Sequence, residues 1–225
     1  MKNLYRYNPD RLTQTQLWLL LLSGVLTEQN EVRHDTLYGY EATKEHIYLV
    51  KQALERDWGI RNREDLYSSL NWLLHSGHRT DFNRNFRYIS LLPYSLEEKE
   101  LNRIPSGTSL YNSYQLSKLN KYILPRAGIA AWDFGRYITL CRDGALIKYI
   151  SDKEAWELMA KIGPMAQQSY SSWYEYGLAY MVGRLAWLDK LTEENVKWHV
   201  DLLRRLLFKE DSPWLKIPWD IALDI

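Results

Sequence analysis

Thiols are almost absent. One cysteine, Cys141, occurs in 225 residues. A lone thiol closes no intrachain disulfide and builds no multi-thiolate metal site, and a thiol-poor chain suits a reducing compartment. Cys141 lies between Leu140 and Arg142 with no histidine near it in sequence, so it reads as a small helix residue rather than a nucleophile. Long apolar runs are missing too. The longest, Leu17 to Leu26, is interrupted by Ser23 and Gly24 and falls far short of the roughly 20 residues that span a bilayer. The N-terminal stretch is polar, with no apolar core behind its basic residues, so a secretory signal is not expected. A cytoplasmic location without a membrane partner follows as the expectation.

Charge of one sign is not in excess. The chain carries 29 Lys and Arg against 28 Asp and Glu, and both halves about Asn112 are balanced. A phosphate-backbone binder needs a basic excess or stripe, so nucleic acid is not an expected partner. G-x-G-x-x-G, P-loop, G-x-S-x-G and H-E-x-x-H motifs are absent. His75 and His78 are three apart, but Gly77 between them marks a helix end rather than a continuous ligand face; His34 and His46 stand alone. No cofactor, no metal and no catalytic residue is therefore assigned, and the chain leans away from enzymes.

What is present is apolar and aromatic. Hydrophobic residues make up 46% of the chain, with 17 Tyr and 10 Trp, enough for a sizeable core in a chain that buries roughly 70–75% of its extended surface. Tyr and Trp also favour partly wet groove walls and interfaces. Apolar residues recur at the helical period and strand signals are scarce. The expected fold is mainly α, a single globular multi-helix bundle of roughly 8–10 helices with few or no strands. Residues 1–225 form one helical domain in this reading, with possible halves 1–104 and 113–225 joined by a short polar loop.

Local signals place the elements. A first helix runs from Pro9 to about Thr27, followed by a polar loop, Glu28 to Tyr40. A second starts near Thr43 and stops at Gly59. Asn62 caps a third that ends near His75, and His78-Arg79 is suited to capping or to bonding the loop before it. Another helix is spaced over Arg79 to Leu92, and a short one follows Pro93. A helix beginning near Ser113 ends or kinks at Pro125. The next spans Arg126 to Cys141, with a turn at Asp143-Gly144. Ser151 and Glu154 form a capping box; Gly163-Pro164 interrupts the helix they start. Long helices cover Ser172 to Trp187 and Thr192 to about Phe208, and the tail packs as an extended strap.

Two helix faces carry polar groups where apolar ones belong. Ile129, Asp133, Arg136, Tyr137 and Leu140 share one face, with Asp133 and Arg136 close enough to touch. Trp173, Gly177, Tyr180, Arg184 and Trp187 share another; Gly177 admits a close neighbour, and Arg184 can stack on a ring while donating to Asp133 or Glu175. Either these residues form an arginine–carboxylate network joining two helices, or Arg136 and Arg184 grip an anionic ligand or an acidic group of a partner.

The same stretch carries a resemblance. The blocks A-W-D-F-G-R (Ala131 to Arg136), S-D-K-E-A-W-E (Ser151 to Glu157), S-S-W-Y-E-Y-G (Ser171 to Gly177) and G-R-L-A-W (Gly183 to Trp187) resemble the bacterial domain-of-unknown-function family 1266. L-T-E-Q-N (Leu26 to Asn30), D-W-G-I (Asp57 to Ile60) and W-L-L-H-S-G-H-R (Trp72 to Arg79) fit it as well. The resemblance implies a mainly helical bacterial protein and supplies no reaction, cofactor or catalytic residue. Three functional readings follow. The first is a protein-binding module, in its most concrete form an immunity-type or inhibitory protein that occupies a toxin or effector, by analogy with small helical proteins of bacterial conflict systems. The second is a small-ligand-binding protein or enzyme with an Arg/Asp/Trp pocket. The third is a homo-oligomeric scaffold.

Overall fold

The computed structural model describes residues 8–188 and 191–225, and among them every regular element is a helix. The thirteen segments are α1 (Gln14–Leu21), α2 (Gly24–Gln29), α3 (Lys44–Trp58), α4 (Arg63–His75), α5 (Arg79–Leu91), α6 (Tyr94–Asn102), α7 (Ser109–Asn120), α8 (Ala130–Leu146), α9 (Asp152–Ala160), α10 (Ile162–Ser169), α11 (Trp173–Leu188), α12 (Glu193–Phe208) and α13 (Pro213–Lys216). Nine of them are nine residues or longer; the rest are fragments made where a helix breaks. None is long and apolar enough to cross a membrane.

The starts follow the expected capping chemistry at Thr43, Asn62, Ser151 and Thr192, whose side-chain oxygens accept from amides in the first turn. Gly59 ends α3 in the left-handed conformation. Several boundaries differ from the sequence reading. Pro9 lies in a turn, and α1 begins behind Thr13, which forms a capping box with Gln16. Its apolar run does not continue to Thr27, because Ser23 Oγ turns back to donate to Leu20 O at 2.7 Å. The exposed carbonyls at this break are used: Trp214 Nε1 donates to Leu21 O and Tyr176 OH donates to Leu22 O. Thr108 rather than Ser113 starts α7, which ends at Asn120 before Pro125 is reached.

Helix α8 differs as well. It starts at Ala130 rather than Arg126, and its first free amides are taken by neighbours: Ile129 N–H donates to Asn83 Oδ1 and Ala131 N–H donates to Tyr170 OH. No turn forms at Asp143-Gly144; the helix runs on to Leu146. Gly144 serves packing instead, since a Cβ there would lie 2.5 Å from a Leu66 methyl of α4. The break expected at Gly163-Pro164 falls earlier, at Lys161, and Pro164 sits in the first turn of α10, where its missing N–H costs nothing.

Helix α8 is the axis of the molecule. It packs against α2, α4, α5, α9, α10 and α11, drawing on both halves of the chain. Cys141 is buried in it, and burial pushes its thiol pKa well up, as suits a packing residue. Arg142 is buried without an acid partner. Its guanidinium donates to Ser23 Oγ, Thr27 Oγ1 and the carbonyls of Arg33, Thr36 and Leu37, and so folds residues 30–40 over α8. The tail closes the opposite side. After α13 it runs without regular structure, and Trp214 and Trp219 sink into a nest with Trp18, Trp173 and Tyr176.

A cleft lined by aromatic-held arginines

All but three of α8's residues are buried. The three are Arg136, Thr139 and Asp143, spaced i, i+3, i+7 and therefore on one stripe. That stripe forms one wall of a cleft of about 990 Å³. Trp58 and Asp57 at the end of α3, Trp72 of α4, His78 of the following turn, and Arg184 and Trp187 of α11 complete the charged end; Tyr38 and Tyr40 line the other.

Both arginines lie against indoles. The Arg136 guanidinium carbon is 4.8 Å from the Trp58 ring centroid and 5.4 Å from that of Trp132. Arg184 sits 5.6 Å from Trp132 and 4.8 Å from Trp187. Trp132 is thus shared between two cations. Among the described residues neither guanidinium has an ion-pair partner or a side-chain hydrogen bond. Behind them Trp132 Nε1, Tyr180 OH and Arg184 Nε are buried and unpaired with any described residue. Burial lowers the Arg184 pKa, and the nearby Arg136 charge lowers it further. Burial pushes the Tyr180 phenol up to about 12, although both arginines pull it down. Asp143 is the acid of the stripe: burial pushes its carboxyl up to about 6, opposed by Arg142 and Arg136.

Asp133 does not meet either arginine. Its carboxylate is fully buried and accepts from His78 N–H, His78 Nδ1, Arg79 N–H and Arg79 Nη1 at 2.9–3.0 Å. It pins the α4–α5 turn onto α8. Gly77 has φ +64° there, and a Cβ would fall 2.1 Å from Asp133 Oδ2, so only glycine fits. Arg79 also donates to Leu73 O and Leu74 O, satisfying the carboxyl end of α4. His78-Arg79 thus does bond the preceding segment, with Asp133 as the added anchor. Because a carboxylate only accepts, His78 Nδ1 carries the hydrogen of that bond.

The remaining sequence candidates divide. Tyr180 and Trp187 join Arg136 and Arg184 around Trp132. Trp173 belongs to the tail nest: it stacks on Trp214 at 5.0 Å and donates to Ile217 O. Gly177 admits a close neighbour, but that neighbour is Leu203 and Trp214. Glu175 accepts from Ser171 N–H at the start of α11 and meets no arginine. Sequence reasoning overlooked Thr139, Asp143, Trp58, Trp72 and His78 as cleft residues. A signal for the first two existed, since polar residues at 136, 139 and 143 recur at helical spacing along a helix that is otherwise apolar apart from Asp133 and Arg142. Among the described residues no group of three or more His, Cys, Asp or Glu is placed to hold a metal ion.

The WDFGR and WLLHSGHR blocks are therefore joined physically, through Asp133, at the edge of the cleft. The chain matches the family described as protein of unknown function (DUF1266) over residues 53–219. It belongs to that family. Two relatives come from Escherichia coli (strain K12). The uncharacterized protein YbeU is 30% identical over 204 residues, covering 88% of this chain and 81% of its own length. The uncharacterized protein YbeR is 28% identical over 202 residues, covering 88% of this chain and 80% of its own. No solved structure matches the chain. In this DUF1266 member the matched region holds α4 to α12, and with them both arginines and the indoles that hold them.

Proposed function

We propose that this DUF1266 protein binds a small organic anion in the cleft between α3, α8 and α11. The observation that carries the reading is the pair Arg136 and Arg184: two part-buried guanidiniums lining one cleft, neither within ion-pair distance of a carboxylate among the described residues. A sheltered charge without a partner is costly. Cation–π contact offsets about 0.5–2 kcal/mol per site; Asp57 and Asp143 relieve Arg136 only from a distance, and an anion bound between the guanidiniums would relieve both. A purely structural arginine looks like Arg142, whose donors are all spent on fixed oxygens.

The test is calorimetry and thermal melting with inorganic phosphate, sulfate and pyrophosphate. At least one is expected to raise the melting temperature, and Arg136→Ala and Arg184→Ala are each expected to abolish the shift while far-ultraviolet circular dichroism stays that of the parent. Indifference of the parent protein to all three anions overturns the reading. Partner binding of the immunity type draws on a different region, the exposed apolar side chains Leu91, Tyr94, Leu119 and Tyr122 around α5–α7, and on nothing at the cleft.

A further inference from the structure

Resting on the anion-binding reading of the same cleft, we propose that the ligand is an aromatic phosphate, a planar ring bearing a phosphate group as in a nucleoside monophosphate, rather than a bare anion. An anion alone engages only the arginine end, and most of the cleft lining would then have no role.

Two features select a ring. Trp72 and Trp187 are 42% and 51% exposed, yet both belong to the cleft lining. Large exposed indoles are commonplace singly, but two on the wall of one concave site form a stacking surface. Each is held in place on one side: Trp187 carries the Arg184 guanidinium at 4.8 Å, and Trp72 meets the His78 ring edge-on at 4.8 Å. A rigid aromatic side chain with a bare remainder stacks a flat ring at little entropic cost. Because Arg184 rests on Trp187, a ring stacked there brings its attached phosphate to the guanidinium. An arginine fork suits the phosphate oxygens, offering paired donors in one plane.

The far end of the cleft fits the same class. Thr139, Asp143, Tyr38 and Tyr40 line it; the Tyr38 hydroxyl is engaged by Asp152 and Lys148 and Thr139 Oγ1 donates to Gly135 O, so the Asp143 carboxylate is the group most suited to sugar hydroxyls or an exocyclic amine. At about 990 Å³ the space lies at the upper end of the range for small-molecule sites, more than one phosphate requires.

The experiment titrates the full-length protein, by tryptophan fluorescence and calorimetry, with AMP, UMP, phenyl phosphate, ribose 5-phosphate, adenosine and inorganic phosphate. At least one ring-bearing phosphate is expected to bind about tenfold more tightly than ribose 5-phosphate, the size expected from stacking one ring on an aromatic face. Trp72→Ala is expected to erase that advantage while leaving the affinity for inorganic phosphate within about threefold, a loss confined to one stacking contact. Arg184→Ala is expected to weaken both. If inorganic phosphate and ribose 5-phosphate bind as tightly as every ring-bearing phosphate, the ring is overturned and the anion site stands. If adenosine binds as tightly as AMP, the phosphate is overturned. If no compound binds, this inference and the anion reading fall together.

Discussion

Asp133 and Glu175 look alike in the sequence, two acids among aromatics in the helical C-terminal half, and the structure separates them by burial. Four donors converge on Asp133, the backbone amides and side chains of His78 and Arg79 at the α4–α5 turn. Removing that carboxylate leaves the Arg79 charge uncompensated in a largely enclosed place, so Asp133→Ala should cost about 3–5 kcal/mol. Glu175→Ala removes one bond at an exposed helix start and should cost about 1 kcal/mol or less. Urea denaturation of the two variants measures the contrast, and equal midpoints would contradict the anchoring role of Asp133. Arg136 and Asp133, three apart on α8, were expected to pair. They do not, because the α4–α5 turn claims every acceptor position on Asp133 and Arg136 gains more by lying on Trp58.

Helix α8 carries the cleft's chemistry on a stripe one residue wide. Asp143 on that stripe gives it a pH response. Its carboxyl is pushed up to about 6 by burial, with Arg142 on its own helix, Arg136 two stripe positions away and the Tyr40 phenol of the facing loop as its charged or titratable neighbours. Unfolded aspartates ionise near pH 4. Between about pH 4 and pH 6 the folded chain holds this proton while the unfolded chain has released it, so this group's contribution to stability falls as pH rises through that window and is level above it. The newly formed charge also opposes an anion on the same wall. Sulfate, which keeps its charge throughout, is therefore expected to bind more weakly at pH 7 than at pH 5, and Asp143→Asn is expected to reduce both slopes. Identical slopes in parent and variant would remove Asp143 from the account. Other elements obeyed local rules closely. The Ser151 capping box at α9 is as read, and Glu154 is drawn down to about 2 by Arg63 of α4 and by the Ser151 hydrogen bonds. The α1–α2 break was not legible, because the carbonyls it frees are taken by Trp214 and Tyr176, more than 150 positions away.

At the scale of the molecule, the C-terminal strap closes the core on the side away from the cleft. Trp18 and Gln167 both donate to Trp219 O, and Trp219 Nε1 donates to Tyr170 O. Loss of each buried indole costs about 3–5 kcal/mol, so a chain ending at residue 212 loses two and should show no cooperative thermal transition. A melt within a few degrees of the intact chain would show that the strap is dispensable. Sequence alone determined the helical class, most helix starts and the family, because periodicity, capping and block spacing are local properties of the chain. Which acid meets which base was settled only in three dimensions. Buried carboxylates go to whichever donors the packing brings within about 3 Å, and here α4 and α5 reached Asp133 first, leaving two arginines on a bed of indoles facing an open cleft.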